Sequence, residues 1–191
     1  GKHAAFLATC KKMNWPLDTY LKGNHPLQIE IFRIVSELLD VPFSEINAER
    51  DDCGAPTLYL KLSEMSKLYS LLSSSDNPEL EQISRAMTTN PIMISDNNKF
   101  DTEVIKSSHG QVISKGGAEG IQCLCKVNEG IGLALKVEDG SKRAKHAVSL
   151  HLLKQLEWIS DLRIQDIEEK VFNFSEGVRI EVKGQLKFQE S

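Results

Sequence analysis

The sequence predicts an α+β fold in which helices pack on an antiparallel sheet. Between residues 3 and 107, apolar side chains recur mainly at spacings of three and four, the period of a helix. Residues 111–137 hold three short β-prone runs divided by glycine-rich gaps of turn length, the pattern of an antiparallel meander. A further helical stretch follows at 142–158, so the strand cluster is flanked by helices on both sides in sequence.

The elements follow in order. His3 to Met13 reads as a helix built on the good formers Ala4, Ala5, Leu7 and Ala8, and Trp15-Pro16 ends it. Asn24-His25-Pro26 opens the next, with Pro26 in the first turn. Leu27, Ile31, Ile34, Val35 and Leu38 lay one apolar stripe along it until Val41-Pro42. Asp51-Asp52-Cys53-Gly54-Ala55-Pro56 is rich in turn formers and reads as a loop. Leu60 to Leu72 is helical and ends in Ser73-Ser74-Ser75. Asp76-Asn77-Pro78 then supplies capping chemistry for a helix from Glu79 to Thr88. Met93 to Phe100 reads as loop and Asp101 to Ser107 as a short helix. The strands are Gln111–Lys115, Ile121–Lys126 and Gly130–Val137. The helix from Lys142 to Trp158 carries Ala147, Leu150, Leu153 and Leu156 on one side. Gly177 to Phe188 alternates Val178, Ile180 and Val182 against charged neighbours, an amphipathic strand. No repeat and no linker-like run divides the chain, so residues 1–191 read as one domain.

Composition excludes several classes. At 191 residues, 40% hydrophobic and 26% charged, the chain has globular rather than disordered composition. A net charge of −4 leaves no electrostatic footprint for nucleic acid. No apolar run approaches the ~20 residues of a bilayer span, so no membrane partner is expected. The chain opens Gly1-Lys2-His3-Ala4-Ala5 without Met or a charged-then-apolar leader, which predicts a piece of a longer chain without a signal peptide. Its 4 cysteines are too sparse for a disulfide-stapled scaffold. Cys123 and Cys125 fall on one face of a strand, poor geometry for a mutual bridge. Reduced thiols and a cytoplasmic location are the resulting expectation.

Four places carry possible chemistry. Lys115-Gly116-Gly117-Ala118-Glu119-Gly120 lets a ligand approach the backbone with a lysine beside it, but the same string also suits a tight turn. It is neither GxxxxGK nor GxGxxG. Lys136 ends an apolar strand: buried, it is a candidate base for activating a hydroxyl; at the strand end, it simply points to water. Asp51 and Cys53, two apart in one loop, suit a metal or a bound amine, and equally a set of Asx turns. His146 and His151, five apart, read as helix-surface histidines.

Five strings occur in one order: Gly1-Lys2-His3-Ala4-Ala5-Phe6, His25-Pro26-Leu27-Gln28, Asp51 to Pro56, Lys115 to Gly120, and Leu133-Ala134-Leu135-Lys136-Val137-Glu138-Asp139-Gly140. Together they resemble the rhizobial-type L-asparaginases, the asparaginase II family, over most of the chain and more weakly after about Trp158. The resemblance implies hydrolysis of L-asparagine to L-aspartate and ammonia on a fold similar to serine β-lactamases and glutaminases. It implies a Ser-Lys nucleophile, and a zinc ion held by two cysteines and a lysine with an aspartate beside it. Lys2 matches the zinc-binding lysine of a CSGK motif, Cys53 the second zinc cysteine, and Asp51 the aspartate of a DGC loop. Lys136 matches the lysine of the second Ser-Lys tandem, and Cys123 a cysteine typical of that region. Lys115-Gly116-Gly117 occupies a place similar to the KTG strand of β-lactamase-like enzymes, making Lys115 a catalytic candidate and Gly116 and Gly117 substrate-binding ones.

The chain departs from that pattern in two ways. The Cys-Ser that precedes Gly-Lys in the family, and the serines upstream of it, are not among residues 1–191, and Asp52 stands where the loop usually has glycine. Residues 1–191 alone are therefore expected to lack activity. An uncovered sheet edge and core face lead to an expectation of poor solubility or self-association, and a homodimer is a separate expectation. The alternative is a non-catalytic fragment or family member that only binds a small ligand. A penicillin-binding relative is disfavoured by the Asp51/Cys53 loop and the lack of an export leader. One methylene is worth about 1–3 kcal/mol, so asparagine and glutamine are not distinguished.

Overall fold

The computed structural model describes residues 1–172 and 179–187, and its contacts divide the chain into two units, Gly1–Glu64 and Met65–Ser191. In the first unit lie α1 (Lys2–Met13), α2 (Pro26–Leu39), a 3-10 turn (Phe43–Glu45) and a hairpin of β1 (Ala48–Arg50) with β2 (Pro56–Leu58). The His25-Pro26 pair is a helix start. Leu27 N donates to the buried His25 Nδ1 at 3.1 Å, capping the helix, while Nε2 lies 3.0 Å from the Pro16 carbonyl. The hairpin was not anticipated, because strands of three residues are too short to show alternation.

The second unit begins within α3 (Leu62–Ser73) and continues through α4 (Pro78–Thr89), α5 (Ile92–Ser95) and α6 (Phe100–Ser107). The sheet follows, β3 (Val112–Gly116), β4 (Ile121–Lys126) and β5 (Ile131–Lys136), antiparallel in the order β3-β4-β5. Then come α7 (Lys142–Gln155) and α8 (Asp161–Val171). Val112 and Leu124 on one sheet face join Phe100 and Val104 of α6, Leu150 and Leu153 of α7, and Ile164 and Ile167 of α8 in one core. Each such side chain contributes roughly 1.5–3 kcal/mol by leaving water. On the opposite face, β5 runs directly under α3 at Gly132. The fold is α+β, as the helical and meander patterns predicted.

Three stretches differ from expectation. Residues 92–95 form α5 where a loop was expected, because Pro91 takes helical dihedrals and Thr102 Oγ1 donates to the Pro91 carbonyl at 2.9 Å. The helix at 142 stops at Gln155, Glu157 turns left-handed at φ 55°, and a separate α8 follows. Of the strand expected over 177–188, residues 179–187 are described and form no strand, and 177, 178 and 188 lie outside the described residues. Side chains of α7 pair that backbone instead: Gln155 Nε2 donates to Gly184 O at 2.9 Å, and Leu186 N donates to Gln155 Oε1 at 2.9 Å. Among the described residues, no helix is long and apolar enough to cross a membrane.

Candidate active site

In the first unit the β1–β2 hairpin presents Asp51 to the start of α1. Asp51 Oδ1 accepts from the amides of Cys53 at 2.9 Å and Ala55 at 3.0 Å, which is Asx-turn geometry, and Oδ2 accepts from Thr57 Oγ1 at 3.2 Å and from the Lys2 ammonium. The Lys2 hydrogen bond, against the opposing effect of burial and with help from those of Ala55 and Thr57, holds the Asp51 carboxyl down at about 2. The Cys53 thiol is exposed and unbridged two residues on. Thus the structure brings Lys2 and Asp51 into contact and places Cys53 on the same turn.

Zinc requires four donors for a closed tetrahedral site. Cys53 offers a ready thiol, whereas the Lys2 amine has a lone pair to give only after it leaves Asp51 and loses a proton. Among the described residues, no three His, Cys, Asp or Glu groups converge on one point. The donor chemistry fits part of a zinc site and does not close one.

In the second unit the meander gathers the other candidates. Lys115 lies opposite Cys123, which lies opposite Ala134, and Ile121 lies opposite Lys136. Gly117 N donates to Ile121 O at 2.9 Å, so Gly117, Ile121 and Lys136 form one row at the sheet end. By the two-residue period of the pleat, Lys115, Cys123 and Lys136 share a face. The Cys123 thiol is buried, and desolvation pushes its pKa up to about 11, so it stays protonated near neutral pH. Lys115 and Lys136 are both exposed, each donating to the next residue's carbonyl, Gly116 O at 2.5 Å and Val137 O at 2.7 Å. Lys136 thus stands at the exposed end of its strand.

The buried lysine here is Lys145, in the first turn of α7, which spacing alone did not single out. Its Nζ donates to Gly117 O and to Ile121 O, both at 3.0 Å. Desolvation lowers its pKa, against the attraction of Asp101. Asp101, in the first turn of α6, is buried and accepts from Ser114 Oγ at 2.6 Å, Gly116 N at 2.9 Å and Gln122 Nε2 at 2.7 Å. His146 is buried too, not on the helix surface: its ring stacks on Phe100 at 4.2 Å, and desolvation, followed by Lys145, pulls its pKa down to about 4. A cleft of about 620 Å³ opens beside this cluster, lined by Lys99, Lys115, Lys142, Arg143, Lys145 and Lys170, with Asp101 the one carboxylate among its lining residues. Asp101 and Lys145 are separated from Lys115 by 14 and 30 residues on two different helices, so only the packing of both helices on the sheet makes them neighbours.

No curated protein matches the chain. The family model described as L-asparaginase II matches residues 1–188, nearly the whole sequence and both groups of candidate residues. The chain belongs to the L-asparaginase II family.

Proposed function

We propose that the natural full-length protein is an L-asparagine amidohydrolase of the cytoplasm, working by Ser-Lys nucleophilic catalysis on a serine β-lactamase-like scaffold. The family match over residues 1–188 carries this reading. The shared face of Lys115, Cys123 and Lys136, and the cation-rich cleft beside Lys115, support it, since a free amino acid brings an α-carboxylate to be neutralised. Lys136 takes the hydroxyl proton of a serine supplied by sequence N-terminal to Gly1, and the serine oxygen bonds to the side-chain amide carbon. The C–N bond then breaks, the nitrogen leaves as ammonia with that proton, and water hydrolyses the ester to L-aspartate. Lys115 balances charge on the bound substrate, and Gly116 and Gly117 let it approach the strand backbone. Lys2, once released from Asp51, and Cys53 would hold zinc together with a further cysteine N-terminal to Gly1. When bound, the ion would supply a fixed positive charge.

The test is asparagine-dependent ammonia release by the full-length protein, its Lys136→Ala and Lys115→Ala variants, and residues 1–191 alone. The reading predicts turnover by the full-length protein, a loss of at least about 100-fold in each variant, the lower end of what proton transfer and charge stabilisation supply, and none by residues 1–191. A folded full-length protein without turnover contradicts the reading and favours a ligand-binding family member.

A further inference from the structure

We propose that Lys145, acting alongside Asp101, is a positioning residue for the Lys115–Gly117 end of the site. The inference rests on the reading of that site given above. One amine sets two carbonyls, Gly117 O and Ile121 O, each at 3.0 Å. Both belong to the row that continues to Lys136, because Gly117 N also donates to Ile121 O and Ile121 lies opposite Lys136. From α6, Asp101 fixes the same strand end through the Gly116 amide and, through Ser114 and Gln122, the two strands behind it. Thus a cation from the start of α7 and an anion from the start of α6 grip the Gly117 carbonyl and the Gly116 amide at the end of β3.

A side chain at position 116 would crowd both of them. A Cβ at Gly116 would lie 2.9 Å from Lys145 Nζ, 3.2 Å from Gln122 Oε1 and 3.4 Å from Asp101 Oδ2. Gln122 Oε1 is buried with no hydrogen-bond partner among the described residues. Such a cluster is an inefficient way to attach two helices to a sheet. Apolar side chains of similar size do so without desolvating charges. What the charged pair supplies and an apolar pair does not is a directional hold on named backbone atoms. A displacement of about 1 Å in a positioned group costs on the order of 100-fold in rate.

The experiment measures kcat and KM for asparagine in the full-length protein carrying Lys145→Met, Lys145→Arg or Lys115→Ala, with melting temperatures taken alongside. Lys145→Met keeps the length and apolar stem and removes the donors. The expected result is a fall of 10-fold or more in kcat with KM within about threefold, in a variant still folded at the assay temperature. Lys145→Arg, which returns charge and N–H donors, should recover part of kcat. A role confined to stability would move the melting temperature of Lys145→Met and leave kcat and KM alone, which overturns the proposal. Should Lys145→Met not fold, Lys145→Gln, with a neutral donor in the same slot, takes its place with the same two outcomes. If Lys115→Ala keeps full activity, or the unsubstituted protein has none, the underlying reading of the site falls. If activity depends on Lys115 and is indifferent to Lys145, this inference alone falls.

Discussion

Gly132 on β5 is the point where the strand passes under α3, and Gly132→Ala tests that packing. A Cβ there meets the Ser66 carbonyl oxygen and the Ser70 amide nitrogen far inside contact distance, and the Tyr69 carbonyl carbon at 2.8 Å. Carbon atoms in comfortable contact are about 3.5–4.0 Å apart, so the Tyr69 contact alone asks helix and strand to part by about 0.7 Å or more. All three obstacles are helix backbone, which has no rotamer to escape into. Overpacking usually costs about 1–3 kcal/mol, and this case belongs at or above the upper end. At roughly 2–4 °C per kcal/mol for a chain of this size, the melting temperature should fall by about 6–12 °C. Thermal unfolding followed by circular dichroism measures this, with Gly23→Ala as control, since nothing lies within 4 Å of a Cβ at that position. A Gly132→Ala protein melting within about 2 °C of the parent would refute the seating of α3 on β5.

Further expectations concern pH and metal. Because the His146 pKa lies near 4 in the fold against an ordinary 6.5, the unfolded chain binds more protons between those values. Stability should therefore fall as pH drops from 6.5 towards 4, by on the order of 2 kcal/mol, and His146 should add no further loss below that. His146→Gln should flatten this part of the curve of melting temperature against pH, and an unchanged slope would contradict the assignment. Zinc content of the full-length protein after dialysis should fall in Cys53→Ser from near one ion per chain to well below it. Retention of zinc by that variant would remove Cys53 from the ligand set.

The parts of this fold that were legible in the sequence are those whose residues repeat or cap. The stripe Leu27, Ile31, Ile34, Val35 and Leu38 announced α2, Asn77-Pro78 announced the start of α4, and the glycine-divided runs announced β3 to β5. The hairpin around Asp51 was hidden because its strands are three residues long, and α8 because the weakening resemblance beyond Trp158 left its stretch without an anchor. For the site, ordered strings located Lys2, Asp51, Cys53, Lys115 and Lys136, but not the buried pair behind the strand. Asp101 and Lys145 sit singly on two helices, and nothing in a one-dimensional string shows that both first turns converge on Gly116 and Gly117. His146 looked like a surface histidine for a related reason: its burial depends on Phe100, a partner from another helix.

The central claim is that this family member hydrolyses the side-chain amide of L-asparagine. Its most direct test is the stoichiometry of L-aspartate and ammonia formed by the purified full-length protein. The account predicts one of each per asparagine consumed, with formation lost in Lys115→Ala. A folded, zinc-loaded protein that leaves asparagine intact would contradict it.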